Sequence, residues 1–225
     1  MKISHDDQTK LSAVFSRRYY STARIDRFAG NHTVTDEALI IAFLNGDTQA
    51  FNTLVTRWQK PIYNFVLRYA SDPDNADDLT QQTFIRAYQG LRKLDKPTRF
   101  SSWLYRIALN AARDAGRANQ RHSMVSTSDE AVSNELRVPS YSHPDQLAHR
   151  RDLRDVLSRA LQEIPEEQRV VVIMKEYQGL KFREIADVME LPINTVKSRL
   201  YYGLKTLRKL FEQWNVTKEV VWYDA

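Results

Sequence analysis

The sequence predicts an all-α protein made of two small helical domains joined by a flexible linker, and three observations carry that prediction. Apolar residues recur at helical spacing through most of the chain, and no stretch alternates like a strand ladder. The periodicity fails between Arg121 and about His149, where Ser123, Ser126, Thr127, Ser128, Pro139, Ser140, Ser142 and Pro144 gather with Asp129, Glu130 and Glu135. Near the end, two short amphipathic segments flank Glu190-Leu191-Pro192. The expected division is an N-terminal extension over 1–33, a first domain over 34–121, a linker over 122–149, a second domain over 150–212 and a tail over 213–225.

The extension mixes Arg17, Arg18, Arg24 and Arg27 with Ser, Tyr and Thr. Asp6, Asp7 and Asp26 argue against an organelle transit peptide, and there is no apolar run for secretion, so a mobile basic tail is expected. From Asp36 a short helix carries Leu39, Ile40, Phe43 and Leu44 and stops at Asn45-Gly46-Asp47. A longer helix follows, with Phe51, Leu54, Val55, Trp58, Ile62, Phe65, Val66 and Tyr69 as its buried stripe, and Pro61 predicts a kink or break inside it. After the turn Ser71-Asp72-Pro73-Asp74, a third helix runs from about Asn75 to Leu91. Ala76, Leu79, Thr83, Phe84, Ala87 and Tyr88 face inward, leaving Asp77, Asp78, Gln81 and Gln82 on the surface.

Leu94 to Arg99 reads as a loop, and a fourth helix begins at Ser101 or Ser102, either of which can cap it. Trp103, Leu104, Ile107, Ala108 and Ala111 supply its core side. Arg106, Asn110, Arg113 and Arg117 stand at i, i+4, i+7 and i+11 and share one polar face. A solvated face usually alternates in sign, so a row of arginines around an asparagine suits phosphates and bases better, with Asp114 as the local exception.

In the second domain, Leu153, Val156, Leu157, Ala160, Leu161 and Ile164 mark an amphipathic helix ended by Pro165, and a further helix spans Glu166 to Tyr177 before Gly179. Phe182, Ile185, Ala186 and Met189 then recur at i, i+3, i+4 and i+7. Leu191 plugs the corner, Pro192 ends the first helix of the pair, and Asn194 or Thr195 can cap the second. Val196, Leu200, Gly203, Leu204 and Leu207 form an inward stripe, leaving Thr195, Lys197, Ser198, Arg199, Tyr201, Tyr202 and Lys205 outward. Two such helices around a tight turn are a helix-turn-helix, and its outward donors and cations suit the DNA major groove. A solvated helical hairpin is the alternative reading of the pattern alone. The tail, with Val216, Val220, Val221, Trp222 and Tyr223, is apolar enough to dock as a strand, a helix extension or a partner contact.

Composition bounds the rest. A chain of 225 residues that is 42% hydrophobic can build real cores. Lys and Arg number 33 against 28 for Asp and Glu, a net charge of +5 that suits a polyanionic partner. There is no cysteine, which excludes disulfides, thiolate metal sites and cysteine nucleophiles. No stretch approaches the roughly 18 apolar residues of a membrane span, so no membrane insertion is expected.

Several segments together resemble a family. Asp77-Asp78-Leu79-Thr80-Gln81-Gln82-Thr83-Phe84 resembles the acidic region 2.2 motif of the bacterial extracytoplasmic-function (ECF) sigma factors, group 4 of the sigma-70 family. Phe100-Ser101-Ser102-Trp103-Leu104-Tyr105-Arg106-Ile107-Ala108-Leu109-Asn110 resembles region 2.3. Ile164-Pro165-Glu166-Glu167-Gln168-Arg169 and the hairpin from Gly179 to Lys205 resemble region 4.

The resemblance implies a sigma region 2 bundle and a region 4 helix-turn-helix that bind core RNA polymerase and direct promoter-specific initiation. Asp77, Asp78, Gln81 and Gln82 would dock on the beta and beta-prime subunits, with Gln82 standing where a glutamate is common in the family. Arg99, Arg106, Asn110, Arg113 and Arg117 would serve the minus ten element, opened and held as single-stranded DNA. Phe100, Trp103 and Tyr105 lie near that pocket, and Trp103 reads as core from its apolar helical face. Asn194, Thr195, Lys197, Ser198, Arg199 and Tyr202 would read the minus thirty-five duplex. The linker would thread near the active-site channel. An anti-sigma factor is implied as a partner, no cofactor is, and the location implied is the bacterial cytoplasm, with any membrane association indirect through the anti-sigma factor.

An autonomous helix-turn-helix regulator is the main alternative, although such a protein usually carries a sheet-based sensor domain and this chain shows none. A nucleic-acid enzyme would have to use Asp72, Asp74, Asp77 and Asp78 as metal ligands. No histidine or second carboxylate group completes that set, so neither a metal site nor an enzyme is expected.

Overall fold

The computed structural model describes residues 34–126 and 146–214, with side chains described over 34–118 and 155–214. The expected mobile extension, most of the linker and nearly all of the tail lie outside the described residues. Within them the elements are α1 (Asp36–Leu44), α2 (Thr48–Ala70), α3 (Pro73–Gly90), 3-10 turns at Leu91–Lys93 and Pro97–Arg99, and α4 (Phe100–Ser126). After the gap come α5 (Gln146–Glu163), α6 (Glu166–Val172), a π-turn at Ile173–Tyr177, α7 (Phe182–Met189) and α8 (Ile193–Gln213). No strand occurs among the described residues. The fold is all-α, as the periodicity predicts.

Local chemistry starts the early helices. The Thr35 hydroxyl accepts from Ala38 N–H, Asp47 Oδ1 from Gln49 N–H, and Asp72 Oδ1 from Asp74 and Asn75 N–H. Pro73 follows Asp72 at the first helical position, where its missing N–H costs nothing, so α3 begins two residues earlier than Asn75. Packing then fixes the first domain. α2 packs against α1, α3 and α4. Phe43, Phe51 and Tyr88 meet in tilted or edge-on pairs with centroids 5.1 to 5.5 Å apart. Tyr105 presents its ring edge-on to Phe65 at 5.4 Å and to Trp58 at 6.0 Å. Thr80 and Thr83 are buried as well, and each hydroxyl donates at 2.7 Å to the carbonyl four residues back.

Several local expectations are corrected. Pro61 does not break α2. Leu54 and Val55 before it, and Ile62 and Phe65 after it, are all 0% exposed, and burial on both sides outweighs the about 3 kcal/mol that a mid-helix proline costs. Neither Ser101 nor Ser102 caps α4, because the 3-10 turn from Pro97 leads directly into it at Phe100; the expected loop of Leu94 to Arg99 holds that turn. α4 continues to Ser126, past the expected linker start at 122, and α5 begins at Gln146. Leu44 is partly exposed at the last residue of α1.

The second domain packs α8 against α6, α7 and α5. Ile185, Ala186 and Val188 are buried in α7, and Val196, Leu200, Gly203 and Leu207 in α8. Leu204 is 41% exposed and does not belong to the inward stripe, since Gly203 takes the position that meets α6. Asn194 and Thr195 do not cap α8. Pro192, with φ fixed near −60°, holds the cap position, and its carbonyl accepts from Thr195 and Val196 N–H. Gly179 and Glu190 both adopt left-handed backbone, with φ of 68° and 54°.

The two domains are packed on each other. α4 runs against α7, α2 meets both the π-turn and α5, and the buried residues of both halves form one continuous cluster.

Candidate nucleic-acid interface

Two surfaces built from opposite ends of the chain carry the expected DNA contacts. On α8, Asn194, Lys197, Ser198, Tyr201 and Tyr202 are exposed along one face, and Thr195 is half-buried. The Ser198 hydroxyl donates to the Asn194 carbonyl at 3.0 Å, and Lys197 Nζ lies 5.8 Å from the Phe182 ring centroid. The Tyr201 and Tyr202 rings meet edge-on at 5.5 Å, so the helix offers apolar area beside its polar donors. Arg199 departs from the outward orientation expected of it. Its side chain is 22% exposed, and Nη2 lies 2.5 Å from Glu167 Oε2 on α6. The α6 carboxylate draws the guanidinium back against the domain, leaving it at the edge of the reading face.

Close approach of α6 and α8 sets the angle of that face. A Cβ on Gly203 would lie 2.9 Å from Val172 Cγ2 and 3.3 Å from Gln168 Cβ. Glycine is required here by space and not by backbone conformation. On the other side of the turn, Lys181 N–H donates to Glu184 Oε2 at 2.7 Å and starts α7.

The α4 surface has a different character. Asn110 is exposed, but the arginines around it face acids. Arg106 Nη1 lies 2.6 Å from Glu190 Oε1 in the helix-turn-helix turn, and Arg113 Nε lies 2.8 Å from Glu166 Oε1 at the start of α6. Arg99 stands 3.9 Å from Asp187 on α7, and Arg117 pairs at 2.6 Å with Asp114 of its own helix. Asp114 also lies 3.5 Å from Arg86, and the Arg117 hydrogen bond holds its carboxyl below the ordinary range. The row of cations is real, and most of it is engaged by the second domain.

Glu166 is the centre of that contact. It accepts from Tyr69 OH at 3.1 Å as well as from Arg113. Burial pushes its carboxyl pKa up, but the hydrogen bond and charge of Arg113, the Tyr69 hydroxyl and the charge of Arg169 outweigh burial and hold it low. Burial and the adjacent Glu166 charge push the Tyr69 phenol up to about 12. Tyr105 donates to Gln178 at 3.0 Å and Arg68 lies over the Tyr177 ring at 4.6 Å, extending the seam along α2 and α4. Glu166, Glu167, Glu190 and Asp187 were not legible as site residues. Two of the pairs join residues 53 and 84 positions apart, beyond the reach of any local periodicity.

The aromatics near the expected strand-capture pocket are also redefined. Phe100 and Tyr105 are each 2% exposed and belong to the core, so neither is placed to stack on a base. Trp103 is half-buried against Phe100 and against Gly90, where a Cβ would lie 3.1 Å from the indole, in keeping with its reading as core. On α3, Asp77, Asp78 and Gln82 are exposed and Gln81 is half-buried. Asp72 serves as the α3 cap, and no group of three or more metal-ligating side chains occurs among the described residues. No helix among them is long and apolar enough to cross a membrane.

A helical bundle followed by a helix-turn-helix with an exposed reading face defines a helical nucleic-acid-binding class. The family model described as Sigma-70 region 2 matches residues 54–122, and that described as Sigma-70, region 4 matches 154–207. The chain belongs to the sigma-70 family, as an RNA polymerase sigma factor of the ECF type. It is 33% identical over 172 residues to the ECF RNA polymerase sigma-E factor of Escherichia coli strain K12, covering 75% of this chain and 90% of that protein. It is 28% identical to the RNA polymerase sigma-H factor of Pseudomonas aeruginosa, over 79% of this chain and 94% of that one. Among solved structures, the fold resembles CnrH in complex with the cytosolic domain of CnrY, with a TM-score of 0.61 at 23% identity, over 79% of this chain and 97% of that one. It also resembles the sigma factor RpoE of Bartonella quintana in complex with the anti-sigma factor NepR, with a TM-score of 0.57 at 21% identity, over 73% and 98%.

Proposed function

We propose that the chain binds core RNA polymerase and brings it to promoters by reading a minus thirty-five duplex with α8 and opening and holding a minus ten strand with α4. The observation that supports this reading is the exposed polar face of α8, which presents Asn194, Lys197, Ser198 and Tyr202 to solvent. Thr195 and Arg199 flank that face. Asp77, Asp78, Gln81 and Gln82 on α3 serve as the polymerase contact, where carboxylates pair with basic side chains of the large subunits. Arg99, Arg106, Asn110, Arg113 and Arg117 serve the minus ten DNA. Aromatic stacking by Phe100 or Tyr105 has no part in it, because both are buried. The chain supplies positioning and DNA contacts and no catalytic group of its own, and it works in the bacterial cytoplasm. The similar RpoE of Bartonella quintana is found in complex with the anti-sigma factor NepR, and an anti-sigma factor is proposed as the regulator here.

Transcription in vitro with core polymerase and a genomic promoter library, followed by mapping of transcript starts, tests the reading. Starts sharing paired upstream elements only when this chain is present are expected. Tight, sequence-specific duplex binding by the chain alone, with no effect of core enzyme, would favour an autonomous regulator instead.

A further inference from the structure

Exposed large apolar side chains gather in two places among the described residues. One is α8, where Ile193, Tyr201, Tyr202 and Leu204 border the proposed DNA face, and the other is α1 with its root, where Val34, Ile41 and Leu44 stand open to solvent. The second group has no part in the assignments made so far. α1 runs from Ala38 to Leu44 without a polar residue. Leu39, Ile40 and Phe43 turn into the core, while Ala38, Ile41 and Leu44 line the opposite side, with Ile41 49% and Leu44 37% exposed. A helix that is apolar all round is normally covered on every side, and among the described residues this one is covered on its inner side only.

We propose that the outer face of α1 is the docking site of the chain's own N-terminal extension, with Leu11, Val14, Phe15 and Tyr19 seated on Ala38, Ile41 and Leu44. The extension is rooted at the patch itself. It joins the described chain at Val34, whose carbonyl accepts from Arg57 Nη2 at 2.9 Å, and the Arg57 side chain is 11% exposed and paired with Asp36. Trp58 Nε1 donates to the other Asp36 oxygen at 3.0 Å, so the root leaves the domain at a fixed point. Reach is ample, because residues 20–33 can span roughly 45 Å while α1 is about 13 Å long. A covalent tether of this length holds the segment at an effective concentration on the order of millimolar. The residues also match the face. Leu11, Val14, Phe15 and Tyr19 stand at i, i+3, i+4 and i+8, with Ser12, Ser16 and Tyr20 on the far side of that spacing. Arg18 falls among them and meets no like charge, since the ionisable residues of α1 are Asp36 and Glu37. Docked there, the extension completes the first domain and lies beside the Pro97–Arg99 turn, against which α1 packs. This contact is independent of the DNA and polymerase assignments.

Because the chain has no cysteine, Leu44→Cys supplies a single thiol on the face, and a small apolar side chain preserves its character. Alkylation of that thiol by iodoacetamide is followed by mass in the full chain, alone and in dilute solution. Adding Leu11→Ser, Val14→Ser and Phe15→Ser is expected to raise the rate about five- to tenfold, the factor for a contact whose dissociation constant lies well below the effective concentration. Lys209→Cys on α8 is the reference thiol, and its rate should not move with the same three serines. Circular dichroism confirms that each variant is folded, and Ile41→Cys replaces Leu44→Cys if that one is not. Disulfide formation then locates the contact. With Leu44→Cys in place, a second cysteine is introduced singly at Leu11, Ser12, Ala13, Val14, Phe15 and Ser16, and the intrachain yield after mild oxidation is measured. The yield at Leu11, Val14 and Phe15 should exceed that at Ser12, Ala13 and Ser16 about threefold or more, because a bridge needs Cα atoms within about 7 Å and side chains that face each other.

An alkylation rate that the three serines leave unchanged would overturn the proposal, as would a disulfide yield that varies smoothly with position. Protection that grows with protein concentration would assign the face to a second copy of the chain. Protection that survives the three serines but is lost with Val220→Ser, Val221→Ser and Trp222→Ser would assign it to the C-terminal tail. Protection that appears only when core polymerase is added would assign it to that partner. Each of these outcomes removes the extension as the occupant and leaves the sigma-factor reading untouched.

Discussion

Arg199 on α8 and Glu167 on α6 approach to 2.5 Å, which ties the orientation of a side chain proposed to contact DNA to a different helix. Arg199→Ala is expected to weaken minus thirty-five binding by the holoenzyme by about 1 to 3 kcal/mol if the arginine makes a bidentate base contact. Glu167→Ala should reproduce part of that loss, because an unheld guanidinium must be ordered at the moment of binding. The double variant should be no worse than Arg199→Ala. Fluorescence anisotropy on a duplex carrying the mapped element measures all three, and strictly additive losses would show that Glu167 does not position Arg199.

Two glycines separate space from conformation. Gly203→Ala puts a methyl against Val172, a buried β-branched side chain with little freedom to move, and should destabilise the protein by about 1 to 3 kcal/mol. Gly116 lies in α4 with nothing within 4 Å of its missing Cβ, and Gly116→Ala should stabilise by about 0.5 to 1 kcal/mol through helix propensity. Urea unfolding of both variants checks the contrast, and equal shifts would refute the steric account of Gly203.

Reversing charge on α3 tests the proposed polymerase contact. Asp78 is exposed and faces away from the core, so Asp78→Lys should leave helicity and melting temperature nearly unchanged while weakening competition for core polymerase about tenfold or more. Unchanged core affinity would remove Asp78 from the contact.

Much of this was legible in the sequence, and the boundary is physical. Helix existence followed from periodicity, since Ile40, Leu54, Ile62, Leu79, Leu104 and Ile185 occupy the inward positions their spacing demands. The turn at Gly179 and the exposure of Lys197 and Ser198 followed in the same way. A break at Pro61 and the α4 start were misread because local rules compete with tertiary packing, and at those positions packing prevails. The interdomain pairs were invisible for another reason. Arg113 and Glu166 are brought together by the placement of two domains, and no local pattern encodes that distance.

Acid should open the interdomain contact within a defined window. With the domains packed, the Glu166 carboxyl is held below its ordinary value of 4.5 by Arg113, Tyr69 and Arg169 against the effect of burial, while separation returns it toward that value. Its contribution to the interdomain contact is therefore complete above 4.5 and is lost as pH falls through the lowered value. Energy transfer between dyes on cysteines introduced at two exposed sites, Glu37→Cys and Lys209→Cys, should stay flat from about pH 8 to about pH 6 and decline only below the ordinary carboxylate range, with Glu166→Gln flattening the curve. A transition centred near neutrality would assign the response to a different group.

The left-handed backbone of Glu190 acquires a meaning from where its side chain goes. A residue with φ of 54° at the end of a helix is most comfortably glycine, or asparagine, and a side chain with a Cβ is strained there by about 1 to 2 kcal/mol. Glycine would relax the corner of the helix-turn-helix but could not reach Arg106. The requirements of the hairpin and of the whole chain thus diverge at a single position. A relative carrying glycine at that corner would have a firmer reading head and a looser embrace between its halves, so the identity of one turn residue sets how readily the molecule parts.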